Sequence, residues 1–223
     1  MVRMMRAKRF LLCRACLALL TTTAPAQTPA TNTSALNHAN VLSNAVILII
    51  RHAEKPEIGT ELTPAGVQRA DAYTNYFRSL LVDAKPLHLD CLIATADSNN
   101  SHRPRLTLEP LSKSLGLPLD TRYKNKESAQ LAAELQARPH GRQILICWHH
   151  EQIPVLIQAL GADPDKLLPG GKWPDAVFSW VIQLHYDQDG RLMPGESKRI
   201  TESLMPGDAA DAAPFMRQAI GFP

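Results

Sequence analysis

The sequence predicts an α/β domain of three layers, α/β/α, with a mainly parallel central sheet. Three runs carry that prediction. "AVILII" (45–50), "LDCLIATA" (89–96) and "RQILICW" (142–148) are short, largely apolar and rich in β-branched residues. That is the pattern of strands buried on both faces. Stretches of helical period lie between them, bounded by residues that start and stop helices. Alternation of such strands and helices points to a parallel sheet covered on both sides.

The elements follow in order. After the first strand and a loop, "LTPAGVQRADAYTNYFRSLLV" (62–82) reads as a helix. Thr63 is a good N-cap, and Pro64 suits the first helical position, where its missing N–H costs nothing. Val67, Ala70, Tyr73, Tyr76, Phe77, Leu80 and Leu81 share one face, the expected core side. "RPRLTLEPLSKSLG" (103–116) follows the second strand as a helix ending at Gly116. "KESAQLAAELQAR" (126–138) is another, and "EQIPVLIQALG" (151–161) follows the third strand, again closed by a glycine. A proline- and glycine-rich loop leads to a longer strand, "AVFSWVIQLHYD" (176–187), and "GRLMPGESKRI" (190–200) turns back as its partner at the edge. No internal repeat is present.

The front of the chain is different. Residues 1–26 hold Arg3, Arg6, Lys8, Arg9 and Arg14 and no acid. "VRMMRAKR" reads as a basic n-region, "FLLCRACLALL" as an apolar segment interrupted by Arg14, and "APA" (24–26) as a cleavage site. The pattern is that of a signal peptide, too short for a membrane span, and it predicts an exported protein, periplasmic or secreted. Residues 27–44 are small, polar and without period, the composition of a flexible leader. The folded domain is expected over residues 45–223. The formal charge of +3 reflects the front end: the remainder carries 19 basic against 21 acidic residues. Nucleic acid and anionic membrane are therefore excluded as main partners. Beyond the front segment only Cys91 and Cys147 remain, both in strand runs, where buried free thiols are expected.

The chemistry gathers at strand ends. The first strand runs into Arg51 and His52, the third into His149 and His150. In parallel sheets ligands bind beyond the carboxyl ends of the strands. Past the second strand, "SNNSHRPRLT" (98–107) brings Arg103 and Arg105 to a helix N-terminus, where free N–H groups and the helix dipole favour anions. Arginine adds a rigid charged fork that matches phosphate. A neutral imidazole can attack phosphorus while the cations hold the equatorial oxygens. "HHE" (149–151) is not read as a metal cluster, because adjacent ligands point in different directions; neither metal nor cofactor is expected.

These residues resemble the histidine phosphatase superfamily, also called phosphoglycerate mutase-like. "IIRHAEKP" is similar to its Arg-His-Gly/Ala signature, "LTPAGVQRA" to its Leu-Thr/Ser-x-x-Gly-x-x-Gln-Ala segment, and "SHRPRLTLEPL" to its Arg-x-x-x-Thr stretch, at Arg103 and Thr107. "ILICWHHEQIPVLIQALG" resembles its second-histidine strand and helix. The four agree in order and spacing over residues 45–187. The resemblance implies a phosphoglycerate mutase-like fold and a phosphomonoester hydrolase without metal. His52 would take the phosphoryl group as a phosphohistidine and water would release it. Arg51, Arg103 and the second histidine would bind phosphate, and the substrate would be a small phosphorylated molecule.

The sequence departs from the family in two places. Trp148 stands where glycine is usual before the second histidine. His149 fits the common spacing to Ile153, whereas a branch of the family with Trp-Glu-His matches His150, so both remain candidates. The general acid is open among Glu54, Glu127 and Glu151, with Glu151 favoured for its place beside the histidines. "PGGKWPDAVF" (169–178) resembles a Trp-Pro-Asp-x-x-Phe stretch of the Trp-containing branch, and is read as a turn with an anchoring aromatic. His38, His88, His102, His140 and His185 are read as surface or packing residues, with His102 alone near enough to reach the crevice. The alternative function is a phosphate- or phosphopeptide-binding module without catalysis.

Overall fold

The computed structural model describes residues 41–208. The signal peptide expected over 1–26, and residues 27–40 of the expected leader, lie outside the described residues. Residues 41–44, assigned to the leader by composition, form a turn instead, with Leu42 in the core.

The chain runs β1 (Val46–Arg51), α1 (Pro64–Ser79), β2 (Leu81–Val82), β3 (Lys85–Pro86), β4 (Cys91–Ala94), α2 (Arg103–Leu115), β5 (Leu119–Asp120), α3 (Ser128–Ala137), β6 (Gln143–Trp148), α4 (Ile153–Ala159), α5 (Pro164–Leu167), β7 (Trp180–His185) and β8 (Lys198–Thr201). Six strands form one sheet in the order β5-β4-β6-β1-β7-β8. β5, β4, β6 and β1 are mutually parallel, β7 is antiparallel to β1, and β8 is antiparallel to β7 at the edge. β2 and β3 form a separate small hairpin.

Strand parity divides the core. Ile47 and Ile49 of β1, with Ile144, Ile146 and Trp148 of β6, pack against α3 and α4. Leu48 and Ile50, with Leu145 and Cys147, face Tyr73 and Phe77 of α1 and Leu108 and Leu111 of α2. Successive residues of a strand point to opposite sides, so all-apolar strands require a layer of helices on each. The three-layer expectation is met.

Local signals act as the sequence implies. The Thr63 hydroxyl accepts from the Gly66 N–H at 3.1 Å and caps α1. α2 ends where Gly116 takes a left-handed conformation, φ 67°. The buried face of α1 differs from its apolar periodicity. Gly66 and Arg69 are buried with Ala70, Tyr73 and Phe77, while Val67 is 50% exposed and Leu81 59%. The cause is Arg69. Its guanidinium bonds Glu54, Glu202 and Asp208 at 2.7–3.0 Å, turning that edge of the helix inward. One arginine thus joins the loop after β1, the residue after β8 and the turn at 205–208.

Cys91 and Cys147, the two cysteines among the described residues, are free. In the parallel register Cys91 faces Ile144 and Cys147 faces Ala94. Three rungs separate them, about 10 Å along the strands, beyond disulfide reach.

Candidate active site

The site begins with register. The β1–β6 ladder pairs Ile50 with Cys147 and Arg51 with Trp148. One step on, the His52 N–H donates to the Trp148 carbonyl at 3.1 Å. His52 and His149 therefore leave neighbouring strands side by side. Their rings meet edge to face, with centroids 5.2 Å apart.

His52 is 2% exposed. Its Nδ1 lies 2.7 Å from the Ala53 carbonyl. A carbonyl only accepts, so Nδ1 carries the hydrogen and the lone pair lies on Nε2. Burial lowers its pKa to about 2, with Arg51, His149 and Arg103 adding to the effect. The ring is neutral at physiological pH and nucleophilic at Nε2. Thr107 secures the next peptide: its hydroxyl accepts from the Ala53 N–H at 2.9 Å and donates to the Arg103 carbonyl at 2.8 Å. One buried side chain thus joins the loop after His52 to the first turn of α2.

Arg51 is fully buried. Its Nη1 donates to the carbonyls of Asp175 (2.5 Å), Val177 (3.0 Å) and Pro174 (3.4 Å). The Phe178 ring lies 3.9 Å from its guanidinium carbon, a cation–π contact, and 6.3 Å from the His52 ring. Its Nε and Nη2 have no protein partner. Burial lowers its pKa to about 10, which leaves it charged. A fixed guanidinium with two unpartnered buried N–H groups is suited to an oxyanion. Arg103 opens α2 and donates to the Gly59 carbonyl at 2.8 Å; its Nε is likewise buried without a partner. Burial lowers the pKa of Arg103 too.

The two candidates for the second histidine separate here. His149 faces His52. Burial, then Arg103, His150 and Arg51, lower its pKa to about 4. His150 turns to the other wall, with Nε2 2.9 Å from Asp175 Oδ1. Burial and Arg51 lower its pKa, against Glu151 and Asp175.

The three carboxylates also separate. Glu54 is held by Arg69, and Glu127 accepts from the Lys124 N–H at the start of α3. Both serve local structure. Glu151 is 65% exposed and 3.9 Å from His150 Nε2, at the mouth of the crevice. Arg105 pairs with Asp97 and Glu109, outside the pocket. His102 precedes α2 and pairs with Glu61.

The segment at 173–178 is more than an anchored turn. Trp173 does anchor it, donating from Nε1 to the Val177 carbonyl at 2.8 Å and packing on Trp180. The same segment supplies the three carbonyls on Arg51, the Phe178 ring and the Asp175 carboxylate. The proline, aspartate and phenylalanine of "WPDAVF" were the available signal, but main-chain carbonyls leave no mark in a sequence.

Known structures share this arrangement of strands and helices. A structure from Escherichia coli str. K-12, named as a candidate alpha-ribazole-5'-P phosphatase, superposes with a TM-score of 0.50 at 13% identity, over 74% of this chain and 99% of that one. The chain shares the fold of that structure. Phosphoglycerate mutase from Plasmodium falciparum is similar at a TM-score of 0.47 and 18% identity, over 68% of this chain and 88% of that one. A candidate phosphohistidine phosphatase SixA from Agrobacterium tumefaciens is similar at 0.42 and 19%, over 67% and 96%. No family model matches the sequence, and no curated protein does. At these identities the likeness concerns the fold alone; function rests on the residues at the strand ends.

Proposed function

We propose that the chain is a phosphomonoester hydrolase that works without metal, through a phosphohistidine on His52. One observation carries the reading. His52 Nε2 holds a free lone pair beside Arg51, whose Nε and Nη2 are buried without partners. In the first step Nε2 attacks phosphorus as the bond to the leaving oxygen breaks. Arg51, Arg103 and His149 hold the three equatorial oxygens, and the two arginines balance their charge. In the second step water attacks phosphorus, the P–N bond breaks and phosphate leaves. Proton transfer is assigned to the side of the pocket bordered by His150 and Glu151. The substrate is proposed to be a small phosphorylated molecule, and residues 1–26 are proposed to direct export.

The test is phosphate release from a panel of phosphomonoesters by the full chain, beside His52→Ala, with chelator present. Release is expected to persist in chelator and to vanish in the variant. A folded wild-type protein that binds phosphate yet releases none from any ester would overturn the hydrolase in favour of a binding module.

A further inference from the structure

We propose that His150 and Asp175 form the proton-transfer pair of this site, with His150 Nδ1 as acid then base and Asp175 as the residue that positions it. The inference rests on the phosphatase reading above.

His150 is 7% exposed. Its Nε2 lies 2.9 Å from Asp175 Oδ1. An ionised carboxylate only accepts, so Nε2 carries the ring hydrogen and Nδ1 is left as the exchangeable position. That Nδ1 is buried and meets no partner. A buried polar atom without a partner is costly, and Arg51 presents two more. A phosphoryl group answers all three. Its oxygens accept from Arg51 Nε and Nη2, and from His150 Nδ1 once that atom is protonated.

The charged groups facing His150 are Arg51 from β1, Asp175 from the 173–178 segment and Glu151 from its own turn, with His149 adjacent. Burial and Arg51 disfavour the charged ring before substrate arrives. An arriving dianion reverses that field, and Asp175 stabilises the imidazolium. Although the Asp175 side chain is 93% exposed, its backbone is held, because its own carbonyl bonds Arg51 Nη1 at 2.5 Å. Residue 175 therefore contacts both the phosphate-binding arginine and the proton donor.

The steps balance. Substrate binding draws one proton from solvent onto His150 Nδ1. As His52 Nε2 bonds to phosphorus and the ester P–O bond breaks, that proton passes to the departing oxygen and an alcohol leaves. His150 is then neutral. It accepts a proton from water as the water oxygen attacks phosphorus and the P–N bond breaks. Phosphate then leaves and His150 returns its proton to solvent.

The test compares two esters by kcat/KM, which reports the first chemical step. 4-Nitrophenyl phosphate has a leaving group that needs no proton; glycerol phosphate has one that does. Asp175→Asn in the full chain is expected to lower kcat/KM for glycerol phosphate about a hundredfold and to leave the nitrophenyl ester within about threefold. The alkaline limb of the glycerol phosphate profile is expected to move to lower pH, and Asp175→Glu to restore part of the rate. Equal loss on both esters would reduce Asp175 to a structural contact and overturn the pair. So would an Asn variant indistinguishable from wild type. If the wild-type chain hydrolyses neither ester, the phosphatase reading falls and this inference falls with it.

Discussion

Replacing Glu202 with glutamine is expected to remove a pH-dependent stability difference of roughly 3 kcal/mol. Glu202 is 1% exposed. Its Oε1 accepts from Arg69 Nη1 and from the Tyr73 hydroxyl, both at 2.8 Å, while Oε2 is buried without a partner. Burial raises its pKa from 4.5 to about 7, against the attraction of Arg69. The folded state thus keeps a proton that the unfolded chain releases. The stability this provides is complete below pH 4.5 and is lost as pH rises through 7. Each pH unit between the folded and unfolded values is worth about 1.4 kcal/mol, which gives the figure above. His52 and His149 act in the opposite sense. Burial lowers their values from 6.5 to about 2 and about 4, so they weaken the fold as pH falls below 6.5. Wild type alone therefore shows a mixture, and the difference from Glu202→Gln isolates the glutamate. Urea unfolding at pH 5 and pH 8 captures most of it: the variant should gain on wild type by roughly 2–3 kcal/mol between the two. Parallel stabilities at the two pH values would refute the argument.

Two further perturbations probe the frame of the site. Gly66→Ala would place a Cβ 2.5 Å from the Glu54 carbonyl oxygen, a backbone atom that yields only if the loop after His52 moves. It should cost about 1–3 kcal/mol in chemical unfolding and slow phosphate release in the folded fraction. Thr107→Val keeps the side-chain shape but strands the Ala53 N–H and removes the hydroxyl bond to the Arg103 carbonyl, which keeps its place in the helix. A loss of about 1–3 kcal/mol is expected, read by thermal unfolding, with a lower rate in the same phosphate assay.

The sheet was legible because its strands are apolar on both faces, and a continuous apolar run of that length has few other uses. Helix ends were legible where a cap residue has one conformational purpose, as at Thr63 and Gly116. Arg51, His52 and Arg103 were legible because a charged residue at the end of a buried strand or the start of a helix requires a reason. Periodicity failed at Arg69, since it counts apolar residues and three carboxylates distant in sequence draw this cation inward. The different surroundings of His149 and His150 depend on ring direction past the end of β6, which spacing does not encode. β2, β3, β5 and α5 are too short to show a period. The 173–178 segment acts largely through carbonyl oxygens that every residue has, so composition there is silent about its role.

The grip on Arg51 has a consequence for how this site tolerates change. Three backbone oxygens from positions 174, 175 and 177 hold one nitrogen. Nothing in that contact depends on what side chain Ala176 or Val177 carries toward solvent or core. It depends on path length: the carbonyls arrive in place because four residues separate Trp173 from Phe178. Substitution is therefore a mild perturbation at 176, whereas inserting or removing a single residue would withdraw the oxygens together and release the arginine.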